Sequence, residues 1–415
     1  MKRVAITGMG VITPLGNTVE EFWQNIITGK SGAANITKFD ASKFKTNFAC
    51  EVKDFNPELY MDKKELKKFD LFTQYAIAAS EQAITDANLN FSLMDEEARS
   101  EIGVIWASGY GGITTFEQQL TEFNTGNGIP HFNPYFIPKI IVNIAAGAIS
   151  IKHKLYGPNY ATVSACASSS TAIICAFDAI RLGKAKIIIT GGSEAAISSS
   201  SIGGFNASQA LSKNNANPEK ASKPFDKDRD GFVAGEGAGA LILEDYEHAV
   251  NRGAKIYGEM VAGGMAADAY HLTGTHPDGY GASIGIKNAL KEANIATSDI
   301  DYINAHATST HQGDLSELNA IHTIFGNLPV SISATKSMTG HLLGAAGAIE
   351  SIITILSVKN DIIPGTINVQ NLDPLISNDL NIVIGKSISK KVRYGLNNTF
   401  GFGGHIATII FKKHI

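Results

Sequence analysis

Three residues in this 415-residue chain are of types that carry acyl chemistry and stand in matching places: Cys166, His306 and His341. Each follows an apolar run and precedes small residues, which reads as a buried strand ending in a turn. In open α/β sheets ligands gather beyond the carboxyl ends of the strands, so three such ends can meet in space. A cysteine with two histidines suits acyl transfer through a thioester. Around the cysteine the sequence is Thr162-Val163-Ser164-Ala165-Cys166-Ala167-Ser168-Ser169-Ser170-Thr171, followed by the apolar run 172–180. This predicts a buried strand, a sharp turn and a long helix beginning near Cys166, whose unpaired N–H groups and dipole favour thiolate over thiol. Taken singly, Cys166 reads equally as a buried structural cysteine, and each histidine as a satisfied core or turn residue. Three at equivalent strand ends point to a site. Lys336, five residues before His341, falls between an apolar strand and an apolar helix. A charge buried there needs a partner, and Glu350 in the following helix is the candidate.

The elements that must position these residues alternate along the chain. Strands are expected at 3–7, 102–108, 186–194, 240–243, 256–262, 300–305, 331–335, 392–397 and 406–411. Helices are expected at 20–29, 71–87, 140–149, 283–293, 316–325 and 342–359, and Ser198 to Gly204 reads as a small-residue loop. Such alternation implies an α/β fold with mostly buried sheets. The strand, small-residue turn and apolar helix around Cys166 recur around Lys336–His341, a structural echo between two halves. The pattern resets near Asn251-Arg252-Gly253, which divides the chain into 1–250, carrying the cysteine, and 251–415, carrying both histidines. A Gly8-Met9-Gly10 after the first strand invites a dinucleotide-binding reading, but Pro14 stands where the helix should run, and the full fingerprint is absent.

Composition narrows the class. Hydrophobic residues make up 44% and charged residues 18%, an ordinary globular balance. A net charge of −4 argues against a general nucleic-acid binder. The three cysteines, Cys50, Cys166 and Cys175, show no disulfide framework and no metal-type spacing, which fits a reducing cytoplasm. Lys2-Arg3 before Val4-Ala5-Ile6 mimics a signal peptide, but Gly8, Gly10 and Pro14 interrupt the apolar run and Glu20-Glu21 follow. No apolar segment reaches membrane-spanning length. Against the acidic balance, Lys63, Lys64, Lys67 and Lys68 lie within one short stretch. That stretch reads either as a solvated helix face or as a docking patch for an acidic partner.

Four motifs in order complete the picture: Ser164-Ala165-Cys166-Ala167-Ser168-Ser169, His306-Ala307-Thr308-Ser309-Thr310, Lys336-Ser337-Met338-Thr339-Gly340-His341, and Asn398-Thr399-Phe400-Gly401-Phe402-Gly403-Gly404. Through them the chain resembles the β-ketoacyl-[acyl-carrier-protein] synthases, elongating condensing enzymes of the thiolase-fold superfamily. The resemblance implies two pseudo-repeated α/β halves in a layered α-β-α-β-α core, and a homodimer. It implies that Cys166 takes an acyl group from acyl carrier protein. His306 and His341 would donate to the malonyl thioester oxygen as CO₂ leaves, and Lys336 with Glu350 would orient the network. Phe400 would gate the second substrate and join the Cys166 N–H in an oxyanion hole. Thr308 and Thr310 would contact the phosphopantetheine arm that carries both substrates, with no tightly bound cofactor. Tyr110, Phe205 and, from the dimer partner, Phe136 would line the acyl pocket, Tyr110 alternatively swinging aside to pack in the dimer interface with its hydroxyl satisfied, and Lys63, Lys64, Lys67 and Lys68 would dock the carrier protein. Departures are His311 where the family has proline, Ile406 where it has an asparagine-type residue, and Tyr110 where it has a smaller aliphatic one. The reading is fatty acid elongation. The alternatives are a ketosynthase of a specialised polyene, resorcinol or polyketide pathway, and a non-catalytic ketosynthase-like partner, against which the four reactive residues count. A thiolase would need a second cysteine near the C-terminus.

Overall fold

The alternating pattern condenses into an eleven-stranded mixed sheet, seen in a computed structural model that describes residues 1–414. Its strands are β1 (Val4–Ile12), β2 (Ile102–Ala107), β3 (Asn159–Thr162), β4 (Ile187–Glu194), β5 (Gly237–Asp245), β6 (Gly258–Ala267), β7 (Tyr302–Asn304), β8 (Ser331–Ser333), β9 (Asn381–Ile382), β10 (Tyr394–Gly401) and β11 (His405–Lys412). From the seam outward, one half runs β1-β5-β4-β2-β3 and the other β6-β11-β10-β7-β8, with β9 outermost. In each half the first two pairings are antiparallel and the next two parallel. The halves join where β1 pairs antiparallel with β6, Val4 opposite Met260 and Ile6 opposite Gly258.

Five helices layer this sheet: α1 (Leu71–Asp86), α2 (Ser168–Arg181), α3 (Tyr280–Ala293), α4 (His311–Phe325) and α5 (Ala346–Asn360). α2 and α5 touch each other and strands of both halves, so they form the middle layer. α1 covers the outer face of the first half, and α3 and α4 that of the second. The result is the α-β-α-β-α layering of a thiolase-like fold. A helix enclosed on all sides is mainly apolar all round; α5 is buried from Ala346 to Val358, and its polar members Glu350, Ser351, Thr354 and Ser357 are each paired.

Several elements differ from the sequence reading. β1 continues through Gly8-Met9-Gly10 rather than turning there. A Cβ at Gly8 would stand 2.2 Å from the Ala83 carbonyl oxygen, and one at Gly10 2.0 Å from that of Ala79, so the glycines admit the alanine-rich α1 directly onto the strand. The helix expected at 140–149 is broken into Phe136–Ile140 and Ile144–His153; the Ile140 carbonyl accepts from the Gly112 N–H instead of continuing the helix. The small-residue stretch after Ser198 forms a helix, Ser199–Ala207, whose N-cap hydroxyl on Ser198 accepts from the Ser201 N–H. The segment 342–359 opens with a 3₁₀ turn, Leu343–Ala345, before α5 begins. The lysine stretch holds only one helical turn, Lys63–Leu66, closed by a reciprocal Asp62–Glu65 capping box. Among the described residues, no helix is long and apolar enough to cross a membrane.

Candidate active site

Three strand-to-turn transitions converge on one cavity of about 410 Å³, whose wall includes Cys166, His306 and His341. The strand leading to the cysteine, β3, is not buried as expected: it is the sheet's outer edge, and Val163 is exposed. Chain and helix meet at a tight elbow in which Ala165 takes a positive φ of 50°, a conformation a non-glycine residue adopts at a cost of order 1 kcal/mol. Serines hold it. The Ser168 hydroxyl accepts from the Ser164 N–H (2.9 Å) and donates to the Ala165 carbonyl (2.6 Å). α2 starts at Ser168, two residues later than Cys166, and has no side-chain cap. Gly401 lies against this elbow: a Cβ there would sit 2.4 Å from the Ser164 carbonyl oxygen.

Although the Cys166 residue borders the cavity, protein atoms crowd its sulfur. Burial pushes the thiol up to about 12, against the opposing pull of Lys336, while Glu194 adds to the rise. The sequence argument for a resting thiolate fails because loss of solvation outweighs the helix terminus. Cys166 is a protonated thiol in the free protein.

His306 follows β7. Its backbone N–H and that of Ala307 donate to the two carboxylate oxygens of Glu317, at 2.9 and 2.8 Å, and Asn398 donates to the same group at 3.1 Å. His341 is clamped from the other half: its N–H donates to the Val233 carbonyl (2.7 Å), and its carbonyl accepts from the Gly235 N–H (2.9 Å). The two imidazole rings stand edge to face with centroids 5.3 Å apart. Burial and the nearby Lys336 charge hold both well below the ordinary imidazole range, so both are neutral. The Nδ1 atoms of both lack hydrogen-bond partners.

Lys336 opens the one-turn helix Lys336–Thr339 rather than lying on a loop. It is buried and ion-paired with Glu350, whose carboxyl burial pushes up to about 7 against the lysine's pull. The ammonium acts on Cys166, His306 and His341 alike, second to burial in each case.

The remaining candidates divide. Thr308 and Thr310 line the cavity with hydroxyls 3.1 Å apart. Tyr110 also lines it, its ring edge-on to Phe205 at 6.2 Å, and Phe205 continues through Phe232 to His341. Phe136 lies outside this chain's cavity, packed on Phe132 and Phe116. Lys63, Lys64 and Lys67 are exposed and Lys68 half-buried. Ile406 fills the space beside Phe400 against Gly281 and Gly285 of α3, and His311 is the first residue of α4.

Phe400 requires correction. It belongs to β10 opposite Ile406, is 8% exposed and packs on His306 at 5.4 Å. The backbone N–H that faces the Cys166 sulfur together with the cysteine's own is that of Phe402. Phe402 sits in the turn between β10 and β11, 38% exposed, on the cavity wall. Strand register decides this: β10 runs one residue past Phe400, so the turn begins at Phe402. A large apolar residue between Gly401 and Gly403 was the available signal. Glu317 and Glu194 carried none, because their partners are mostly backbone N–H groups.

The model for the beta-ketoacyl synthase N-terminal domain matches residues 1–249, and that for the C-terminal domain residues 257–370. The chain belongs to the β-ketoacyl synthase family. This synthase is 47% identical, over all of its length and 98% of the relative's, to a 3-oxoacyl-[acyl-carrier-protein] synthase 2 of Synechocystis sp.. It is an acyltransferase-class condensing enzyme. Among solved structures it superposes on a beta-ketoacyl synthase from Burkholderia phymatum with a TM-score of 0.92 at 32% identity, covering all of both chains. It also superposes on a ketosynthase solved with its type II PKS acyl-carrier protein and bound to the hexaketide, with a TM-score of 0.89 at 34% identity over all of both chains.

Proposed function

We propose that this synthase joins an acyl group, held as a thioester on Cys166, to malonyl-acyl carrier protein in fatty acid elongation. The observation that carries the reading is one cavity containing a thiol at a helix start and two neutral imidazoles. In the first step the Cys166 sulfur attacks the acyl thioester; the carrier thiolate leaves and takes up the thiol's proton. The Cys166 and Phe402 N–H groups are the donors for the oxyanion that forms. In the second step malonyl thioester loses CO₂, and negative charge builds on its thioester oxygen. His306 and His341, each neutral, donate to that oxygen without protonating the carbanion, as an imidazolium would. The carbanion then attacks the acyl-Cys166 carbon, releasing 3-oxoacyl carrier protein, and the returning sulfur takes a proton. Lys336 and Glu350 orient the group, and Thr308 and Thr310 receive the pantetheine arm. No tightly bound cofactor enters this scheme. The direct test is mass spectrometry after incubation with acyl carrier proteins of graded chain length: mass must appear on the peptide containing Cys166 and on no other.

Carrier docking is assigned to Lys63, Lys64, Lys67 and Lys68. Lys67→Glu with Lys68→Glu should raise the apparent KM for carrier-bound substrate on the order of tenfold, within the range that electrostatic steering supplies. It should also flatten the salt dependence. Transfer from acyl-coenzyme A should stay nearly unchanged, and an equal loss with both donors would end the docking role. The reading includes a cytoplasmic homodimer. The homodimer is supported by the uncovered edge strand β3 and by exposed apolar groups, Phe116, Phe132 and Ile137, beside Phe136.

One observation favours a specialised pathway as the second reading. Tyr110, 43% exposed in the single chain, stands on the cavity wall against Phe205, and its ring takes up room that an acyl chain would otherwise fill. The expected preference is for short, medium or flat unsaturated chains. Tyr110→Ala should lengthen the longest chain that acylates Cys166, each added two-carbon unit being worth about 1.6 kcal/mol of burial. If the wild type already takes long saturated chains as fast as short ones, this reading fails.

A further inference from the structure

Beside Glu350 and Glu317, a third buried carboxylate adjoins the site, and the scheme above gives it no role. Glu194, at the end of β4, is fully buried and, among the described residues, forms no ion pair. One of its oxygens accepts from the Ser108 hydroxyl (2.8 Å) and the Tyr110 N–H (3.1 Å). The other accepts from the N–H groups of Gly109 (2.8 Å) and Gly344 (2.9 Å). Four donors therefore converge from two segments. One is the turn after β2 that carries Tyr110. The other, from the opposite half of the fold, follows three residues after His341. The glycine at 344 lets the two backbones meet, and the glycine at 109 leaves room for the carboxylate. A Cβ at Gly344 would stand 2.3 Å from the Gly109 nitrogen, and one at Gly109 2.8 Å from the carboxylate.

We infer that Glu194 is the positioning residue that fixes the depth of the acyl pocket, by holding the backbone of Tyr110 against the segment that follows His341. This rests on the reading of Tyr110 as a wall of that pocket. The chemistry of the clamp is specific to a carboxylate, which is acceptor-only, whereas all four of its partners donate. In a glutamine the amide NH₂ can be matched to the Ser108 hydroxyl, which also accepts from the Gly111 N–H (2.9 Å). The same NH₂ then confronts the Tyr110 N–H, which is left without an acceptor. A buried N–H so deprived moves or opens to water, and here the movement carries the Tyr110 ring away from its place beside Phe205. The shape of the core is otherwise kept, because glutamate and glutamine are isosteric.

The test is a double-mutant cycle read as chain-length preference. Initial rates of Cys166 acylation are measured with short and long saturated acyl carrier proteins for wild type, Glu194→Gln, Tyr110→Ala and the double variant. Glu194→Gln should raise the long-to-short ratio on the order of tenfold, and should add nothing in the Tyr110→Ala background; the ratio is the readout because loss of the Glu194 charge, which helps to hold the Cys166 thiol up, changes the short-chain and long-chain rates alike. Equal losses at all chain lengths in Glu194→Gln would reduce the residue to a general structural role and overturn the proposal. Additive shifts in the double variant would show that it does not act through Tyr110. If Tyr110→Ala alone leaves the ratio unchanged, the pocket reading itself falls; if Tyr110→Ala shifts the ratio and Glu194→Gln does not, only the positioning role falls. Should Glu194→Gln not fold, Ser108→Ala loosens the same turn from its other side and must shift the ratio in the same direction for the proposal to stand.

Discussion

Replacing Cys166 by serine is expected to abolish the acyl-enzyme: no added mass on the peptide containing position 166 after incubation with acyl carrier protein, and no condensation product. The reason is the proton. The Cys166 thiol is already held up to about 12 by burial, and a hydroxyl starts several units higher with a weaker nucleophile behind it. The Lys336 charge and the N–H groups of Cys166 and Phe402 that assist the sulfur cannot close that gap for an alcohol. Decarboxylation of malonyl carrier protein should survive in the same variant, because the charge it develops is met by His306 and His341. Condensation by Cys166→Ser at a rate comparable to wild type would remove the nucleophile assignment.

The second large effect belongs to the histidines. His306→Ala and His341→Ala should each slow malonyl decarboxylation by on the order of 10²–10³, the usual consequence of deleting one donor from a preorganised oxyanion site. Acylation of Cys166 should fall less. The acidity argument gives this a pH signature. Both imidazoles are held well below 6.5 by burial and by Lys336, so lowering the pH through the ordinary imidazole range does not protonate them. Imidazole protonation should therefore contribute no step to wild-type decarboxylation as pH falls through 6.5; the carboxyls of Glu350 and Glu317, each pushed up to about 7 by burial, are the site groups that take up protons there. A drop there that persists in Glu350→Gln and in Glu317→Gln would mean that at least one ring charges in that range, and equal losses in both half-reactions of either histidine variant would point to collapse of the pocket. Single-turnover assays with malonyl and acyl carrier proteins separate the two steps.

These expectations depend on features with different origins. The alternation of elements, the echo between halves and the placement of Cys166 and His306 shortly after strands were legible in the sequence; His341 instead follows a helical turn, Lys336–Thr339, that separates it from its strand. Apolar β-branched runs, small-residue turns and apolar helices are local patterns, and a local pattern survives in a list of residues. Lys336 was legible as a charge needing a partner for the same reason: the residues on both sides of it are apolar. Element ends were less so. β1 runs on through two glycines because α1 lies on top of it, and the helix near Ile140 breaks because Gly112 takes its carbonyl; in both cases the cause lies far away in the chain.

What only the tertiary structure decided is how groups remote in sequence act on one another. The β10–β11 register puts Phe402, not Phe400, in the turn above the sulfur, and a shift of one strand position cannot be read from Phe-Gly-Phe. Glu317 clamps the start of the His306 segment, and Glu194 the turn that carries Tyr110, mostly through backbone N–H groups, which every residue but proline possesses and no side chain advertises. The protonation of Cys166 was read wrongly from sequence because a helix start is a local feature, whereas the solvation of a sulfur depends on every atom that folds around it. Sequence thus determined which chemical groups stand at which strand ends. Packing determined their charge and their spacing, since desolvation and hydrogen-bond geometry are properties of the assembled interior.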